Sequence, residues 1–155
     1  MNVTTHSEVE TERFGERLAR ELVPGSVVGL SGPLGAGKTT LVRGLARGLG
    51  VEEGAVHSPT FITATEYRGR IPLHHIDLYR HEETLPPSDW LAEILDGDGA
   101  AVVEWVERLG DTGPPDVLVI ELGYGEGTEE RRLELRPTGP RAERVVAALS
   151  GAEFA

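Results

Sequence analysis

One eight-residue stretch constrains this chain more than any other. Gly32-Pro33-Leu34-Gly35-Ala36-Gly37-Lys38-Thr39 fits the spacing Gly-x4-Gly-Lys-Ser/Thr of a Walker A loop. In such a loop the glycines let successive backbone N–H groups turn inward around phosphate oxygens. The lysine reaches the outer phosphates and the hydroxyl ligates magnesium. The flanks agree with the motif. Ser26 to Ser31 is a short apolar run suited to a buried strand. From Lys38 onward, Leu41, Leu45 and Leu49 recur on one helical face with Val42 and Ala46 beside them, and Gly48 and Gly50 are expected to stop the helix. The positive end of that helix would face the bound anion. A chance match in a chain of this composition has a probability on the order of 0.2%. Fourteen of the 15 basic residues are arginine, and the one lysine, Lys38, stands where a compact ammonium is wanted among phosphates. Gly35, Ala36, Gly37, Lys38, Thr39 and Thr40 are the expected contacts to ATP or ADP.

At 155 residues the chain is the size of one ordinary domain, and a single P-loop domain over residues 1–155 is expected. No apolar run approaches the roughly 20 residues a membrane span needs, so no membrane association is expected. Met1 to Glu12 carries acidic and hydroxyl residues where a secretory signal would carry basic ones ahead of an apolar stretch, which predicts a cytoplasmic protein. The absence of cysteine excludes a disulfide framework, a thiolate nucleophile and cysteine-ligated zinc. The five histidines lack metal-ligand spacing, and His74 with His75 reads as part of a packed strand. A net charge of −11 disfavours a free-standing RNA binder, because nucleic-acid affinity comes largely from cationic groups that displace phosphate counterions.

Ser7 followed by Glu10 fits a capping box, and Phe14, Leu18 and Leu22 then predict an amphipathic helix that ends before Pro24 and Gly25. Phe61 to Tyr67 and Ile71 to Asp77 are β-rich runs joined by Arg68-Gly69-Arg70, which predicts an antiparallel hairpin. A short helix is expected over Ser88 to Leu95, and a strand over Ala100 to Val103 that ends on Glu104. Val117 to Leu122 and Arg132 to Arg136 read as strands around a glycine-rich acidic turn, with Arg141 to Leu149 as a closing helix. The predicted fold is an α/β P-loop domain: a mainly parallel sheet with antiparallel hairpin additions and flanking helices.

A P-loop needs a second, acidic contact to magnesium, usually at the end of a neighbouring apolar strand. Ala100-Ala101-Val102-Val103-Glu104 has that form. Asp77, after Leu73-His74-His75-Ile76, is the rival, and it fits equally well as a carboxylate capping the turn into Leu78-Tyr79-Arg80. A GTPase would need an Asn-Lys-x-Asp motif to read guanine, yet the only asparagine is Asn2 and the only lysine Lys38. The chain has no glutamine, so a Ras-like water-positioning residue is also absent. Two other readings stay open. A small-molecule kinase would use Arg43, Arg47, Arg68, Arg70 and Arg80 to clamp an acceptor or close a lid. A nucleotide-dependent adaptor would use ATP mainly to organise a surface for another protein.

Ser58-Pro59-Thr60-Phe61, His75-Ile76-Asp77-Leu78-Tyr79-Arg80 and Glu104-Trp105 follow Gly35-Ala36-Gly37-Lys38-Thr39-Thr40 in that order. Together they resemble the TsaE family, the bacterial ATPases of threonylcarbamoyladenosine tRNA modification. The resemblance spans most of the chain. It implies that such a protein acts with two partners, TsaB and TsaD, which modify the adenosine next to the anticodon, and supplies them with ATP-driven turnover; tRNA is met only through that complex. It also implies roles residue by residue. Thr39 and Glu104 look like the magnesium contacts, Asp77 a catalytic or switch carboxylate, and Thr60 a switch-like hydroxyl. Trp105 is similar to a family tryptophan beside the nucleotide, although a buried core indole fits it as well. Thr11 is similar to a family threonine near the base; from sequence alone it reads as an exposed first-turn helix residue. Arg131 or Arg132 is similar to a late arginine near the phosphates, against the alternative of solvated strand charges. Leu85-Pro86-Pro87-Ser88-Asp89-Trp90 departs from the family pattern between Glu82 and Gly99.

Overall fold

The computed structural model describes residues 1–52, 54–56, 64–79, 92–93 and 96–151. Strand β1 (Asn2–Thr5) leads into helix α1 (Glu8–Arg20). Ser7 caps α1 by accepting the Glu10 N–H at 3.1 Å, and Glu10 returns its carboxylate to the His6 N–H, one residue earlier than a standard capping box. Acids in the first turn (Glu8, Glu10) and bases in the last (Arg17, Arg20) complement the helix dipole. Next come β2 (Val27–Ser31), the glycine loop, α2 (Lys38–Gly48), β3 (Ala64–Tyr67), β4 (Leu73–Asp77), β5 (Ala100–Glu104) and a kinked 3-10 segment over Val106–Thr112. Strands β6 (Leu118–Tyr124) and β7 (Arg131–Pro137) and helix α3 (Pro140–Gly151) complete the order. Asp116 caps α3 from a distant loop, its two carboxylate oxygens accepting the Arg141 and Ala142 N–H groups at 2.8 and 3.0 Å.

Seven strands form one sheet in the order β1-β7-β6-β2-β5-β4-β3. The four central strands are parallel to one another, and antiparallel strands extend both edges: β3 beyond β4, β7 and β1 beyond β6. The fold expected from the sequence is therefore present. β1, only four residues at the sheet edge, went unrecognised in the sequence. The predicted helix at Ser88 to Leu95 falls mostly outside the described residues, of which Ala92 and Glu93 are helical.

β2 and β5 are buried almost throughout because both their faces are covered. On one face α1, α2 and α3 close the larger core around Leu18, Leu30, Leu41, Leu45, Val102 and Ile120. On the other, the 3-10 segment closes a smaller one with Val27, Ile76, Val103, Leu109 and Val117. Gly48 is the last residue of α2, and it also serves helix packing: a Cβ there would stand 2.6 Å from the Ala19 side chain of α1. Gly50, at φ +80°, is the residue that turns the chain out of the helix.

Candidate nucleotide-binding site

The sheet register brings the predicted chemistry together. In the parallel pairings Leu30 of β2 lies beside Glu104 of β5, and Glu104 beside Asp77 of β4. Both carboxylates thus sit at the carboxyl ends of central strands, next to the loop that leaves β2, where open α/β sheets bind ligands.

The loop has the backbone a phosphate cradle requires. Gly32, Gly35 and Gly37 have φ of 139°, 80° and 100°, a region that side chains strongly disfavour. Gly37 starts α2 with no side-chain cap and no acid in the first turn, in contrast to α1 with its serine and two glutamates. A helix start of this kind suits an anion. Tyr124 steadies the loop from β6 by donating its hydroxyl to the Leu34 carbonyl at 2.5 Å.

Lys38 is buried, and its Nζ donates to the carbonyls of Gly32 at 2.5 Å and Pro33 at 3.0 Å. Nζ also lies 4.2 Å from the centre of the Trp105 ring. Burial lowers its pKa from the ordinary lysine value, opposed by the charges of Glu104, Glu107 and Asp77. Thr39 is half-buried in the first turn of α2 and Thr40 is buried behind it.

Asp77 accepts the Tyr79 N–H at 2.9 Å, so it does cap the turn after β4. Burial raises its pKa above the usual carboxylate value; the Tyr79 hydrogen bond opposes this and the Glu104 charge adds to it. Glu104 is only 3% exposed, and its Oε2 meets His75 Nε2 at 2.5 Å. His75 is fully buried, and its Nδ1 meets the Tyr67 hydroxyl at 3.1 Å. His75 is thus a packed strand residue as expected, with a role toward Glu104 that sequence reasoning missed. The pairing joins two strands 29 residues apart, and no sequence spacing signals it.

Trp105 is the one described non-glycine residue with positive φ, at 61°. That backbone turn carries the indole over Lys38 and against Tyr79, the ring centres 5.0 Å apart, while the partly buried ring also packs against the smaller core. Of the two late arginines, Arg131 reaches the loop: its guanidinium donates to the Gly35 carbonyl at 3.4 Å and lies over the Tyr124 ring. Arg132 is exposed, 4.0 Å from Glu126. Thr11 is not the exposed residue its position in the sequence suggests. It is 1% exposed, its hydroxyl 2.7 Å from that of Thr5, and Thr5 lies opposite Arg131 in the β1–β7 register. Thr60, Arg80 and Leu85 to Trp90 lie outside the described residues.

The donor set suits phosphate with magnesium. Among the described residues no group of three or more His, Asp or Glu side chains could hold a metal unaided. Magnesium that arrives with phosphates asks the protein for only one or two oxygen ligands, which Thr39 and Glu104 can provide.

The family model for "Threonylcarbamoyl adenosine biosynthesis protein TsaE" matches residues 5–133. This chain belongs to the TsaE family. A TsaE from Streptomyces coelicolor is 48% identical over 146 residues, covering 89% of this chain and 98% of that protein. A TsaE from Synechocystis is 47% identical over 105 residues, covering 64% of this chain and 66% of that protein. The crystal structure of Bacillus subtilis YdiB superposes with a TM-score of 0.80 at 33% identity, over 97% of this chain and 93% of that one. The TsaE family acts in tRNA threonylcarbamoyladenosine biosynthesis. Among the described residues of this member, no helix is long and apolar enough to cross a membrane.

Proposed function

We propose that this chain is a magnesium-dependent ATPase of the cytoplasm, slow alone and accelerated by TsaB- and TsaD-like partners, whose turnover sustains threonylcarbamoylation of tRNA. The observation that carries the reading is the placement of Lys38. Its ammonium bridges two loop carbonyls at the point where the Asp77 and Glu104 strands end. Those carbonyls satisfy the cation while no phosphate is bound, and ATP would replace them with charged acceptors. The glycine loop and the first turn of α2 would hold the phosphates, with Arg131 beside the loop. Thr39 and Glu104 would hold magnesium, which neutralises charge on the phosphates when bound. Asp77 orients the attacking water, a task that falls to a carboxylate or a hydroxyl in a chain without glutamine. Its raised pKa makes it a better proton acceptor than an ordinary aspartate, and hydrolysis declines in acid as Asp77 takes up its proton. Thr60 supplies the switch-like hydroxyl, and Thr11 and Trp105 lie toward the nucleoside.

Two arginines considered for a kinase clamp have structural partners. Arg70 donates to the Ala19 and Leu22 carbonyls at the end of α1, and Arg47 pairs with Glu12 and Glu16. This favours water over a second substrate as the phosphoryl acceptor. Calorimetric titration of ATP and GTP, with magnesium and with chelator, tests the nucleotide assignment. The expected result is a clear preference for ATP that depends on the metal. Equal affinity for both nucleotides, or binding indifferent to chelator, overturns it.

A further inference from the structure

Behind the Glu104 carboxylate, His75 and Tyr67 form a buried hydrogen-bonded chain. Tyr67, His75 and Glu104 are 4%, 0% and 3% exposed. They come from β3, β4 and β5, and the strand register alone aligns them: Thr65 faces His75, and His75 faces Val102, two residues before Glu104. The direction of the hydrogen bonds follows from chemistry. A carboxylate oxygen accepts, so the His75 Nε2 N–H donates to Glu104 Oε2. With Nε2 as the donor, Nδ1 accepts from the Tyr67 hydroxyl at 3.1 Å. Tyr67 thereby fixes the tautomer and tilt of the ring, and the ring fixes one oxygen of the carboxylate. Among the described residues His75 is the hydrogen-bond partner of the Glu104 side chain.

We propose that Tyr67 and His75 are positioning residues for the metal contact: they lock the Glu104 carboxylate so that its other oxygen is presented to the magnesium that accompanies ATP. The inference rests on the ATPase reading above. It concerns how tightly metal is held rather than whether nucleotide binds, because neither residue lies in the glycine loop. A ligating carboxylate free to rotate would lose ordering entropy on every metal-binding event, and outer-shell partners of metal ligands typically matter by about 10–100-fold in metal affinity.

The test measures ATP binding by calorimetry at a series of magnesium concentrations, for wild type, Tyr67→Phe, His75→Ala and His75→Gln, with thermal unfolding followed for each. Tyr67→Phe and His75→Ala should raise the magnesium concentration at half effect by about 10-fold or more. Their affinity for ATP in chelator should match wild type. His75→Gln, whose side-chain amide keeps an N–H donor for the carboxylate, should recover most of the loss. A merely structural role predicts lower unfolding temperatures with an unchanged magnesium midpoint in folded Tyr67→Phe, and that result overturns the proposal. So does a His75→Gln midpoint no better than that of His75→Ala. Wild type without any magnesium dependence would instead refute the ATPase reading on which the proposal stands.

Discussion

Lys38 contributes to ligand more than to fold. It sits buried with its pKa depressed by desolvation, so the folded chain bears a cost that phosphate would relieve. Removing it should weaken ATP binding by about 10–100-fold, the value of a charge-assisted hydrogen bond or two. Circular dichroism and calorimetry on Lys38→Ala check both halves: a native fold with lost affinity is expected. Asp77 shows the same trade in stability. Burial raises its pKa above 3.8, so the folded chain holds the proton more tightly than the unfolded one does. The stability this confers is complete below 3.8 and fades as pH rises through the raised value. Asn keeps the acceptor for Tyr79 and stays neutral. Asp77→Asn should therefore unfold at the same or a higher temperature than wild type near neutrality, converge with it in strong acid, and hydrolyse ATP poorly. A neutral-pH melting point well below wild type would count against this account. The loop residues and both carboxylates are legible in the sequence, because phosphate binding demands glycine at fixed offsets and strand ends are marked by charge after an apolar run. The burial of Thr11 and the pairing of His75 with Glu104 are not legible. Each depends on which strands become neighbours.

Among the elements, α1 and α2 cross so closely that glycines define the contact. A Cβ on Gly15 would stand 2.7 Å from the Leu41 carbonyl, and one on Gly44 would run into the Glu12 carbonyl. Alanine normally favours a helix over glycine by about 1 kcal/mol, but backbone collision outweighs that gain. Gly44→Ala should lose about 1–3 kcal/mol in urea unfolding. Ser7→Ala, which removes the cap of α1, should lose about 1 kcal/mol. A stabilised Gly44→Ala would mean that the helices sit farther apart than described. In the sequence these glycines look like breaks in an apolar pattern; Gly48 does close α2, but its packing against α1 is not visible there. The amphipathic faces and the hairpin at Arg68-Gly69-Arg70 are readable because their periodicity is local. The edge strand β1 is four residues long, too short for any period to emerge.

For the molecule as a whole, the strand order does what local sequence cannot announce. It sets β2 between β5 and β6, so the glycine loop, Asp77, Glu104 and the reach of Arg131 share one end of the sheet. The chain carries −11 overall, a poor balance for gripping tRNA alone, so in the proposed role the RNA would be met through the partner proteins. ATP binding would favour docking on them and hydrolysis would reset the complex, with turnover completed by a partner-induced rearrangement of the site. The most direct test of this role is multiple-turnover threonylcarbamoylation of tRNA with purified TsaB- and TsaD-like proteins, comparing wild type, Lys38→Ala and no addition. Product well beyond one equivalent of partner complex with wild type alone is the result expected; equal yield in all three reactions would contradict it.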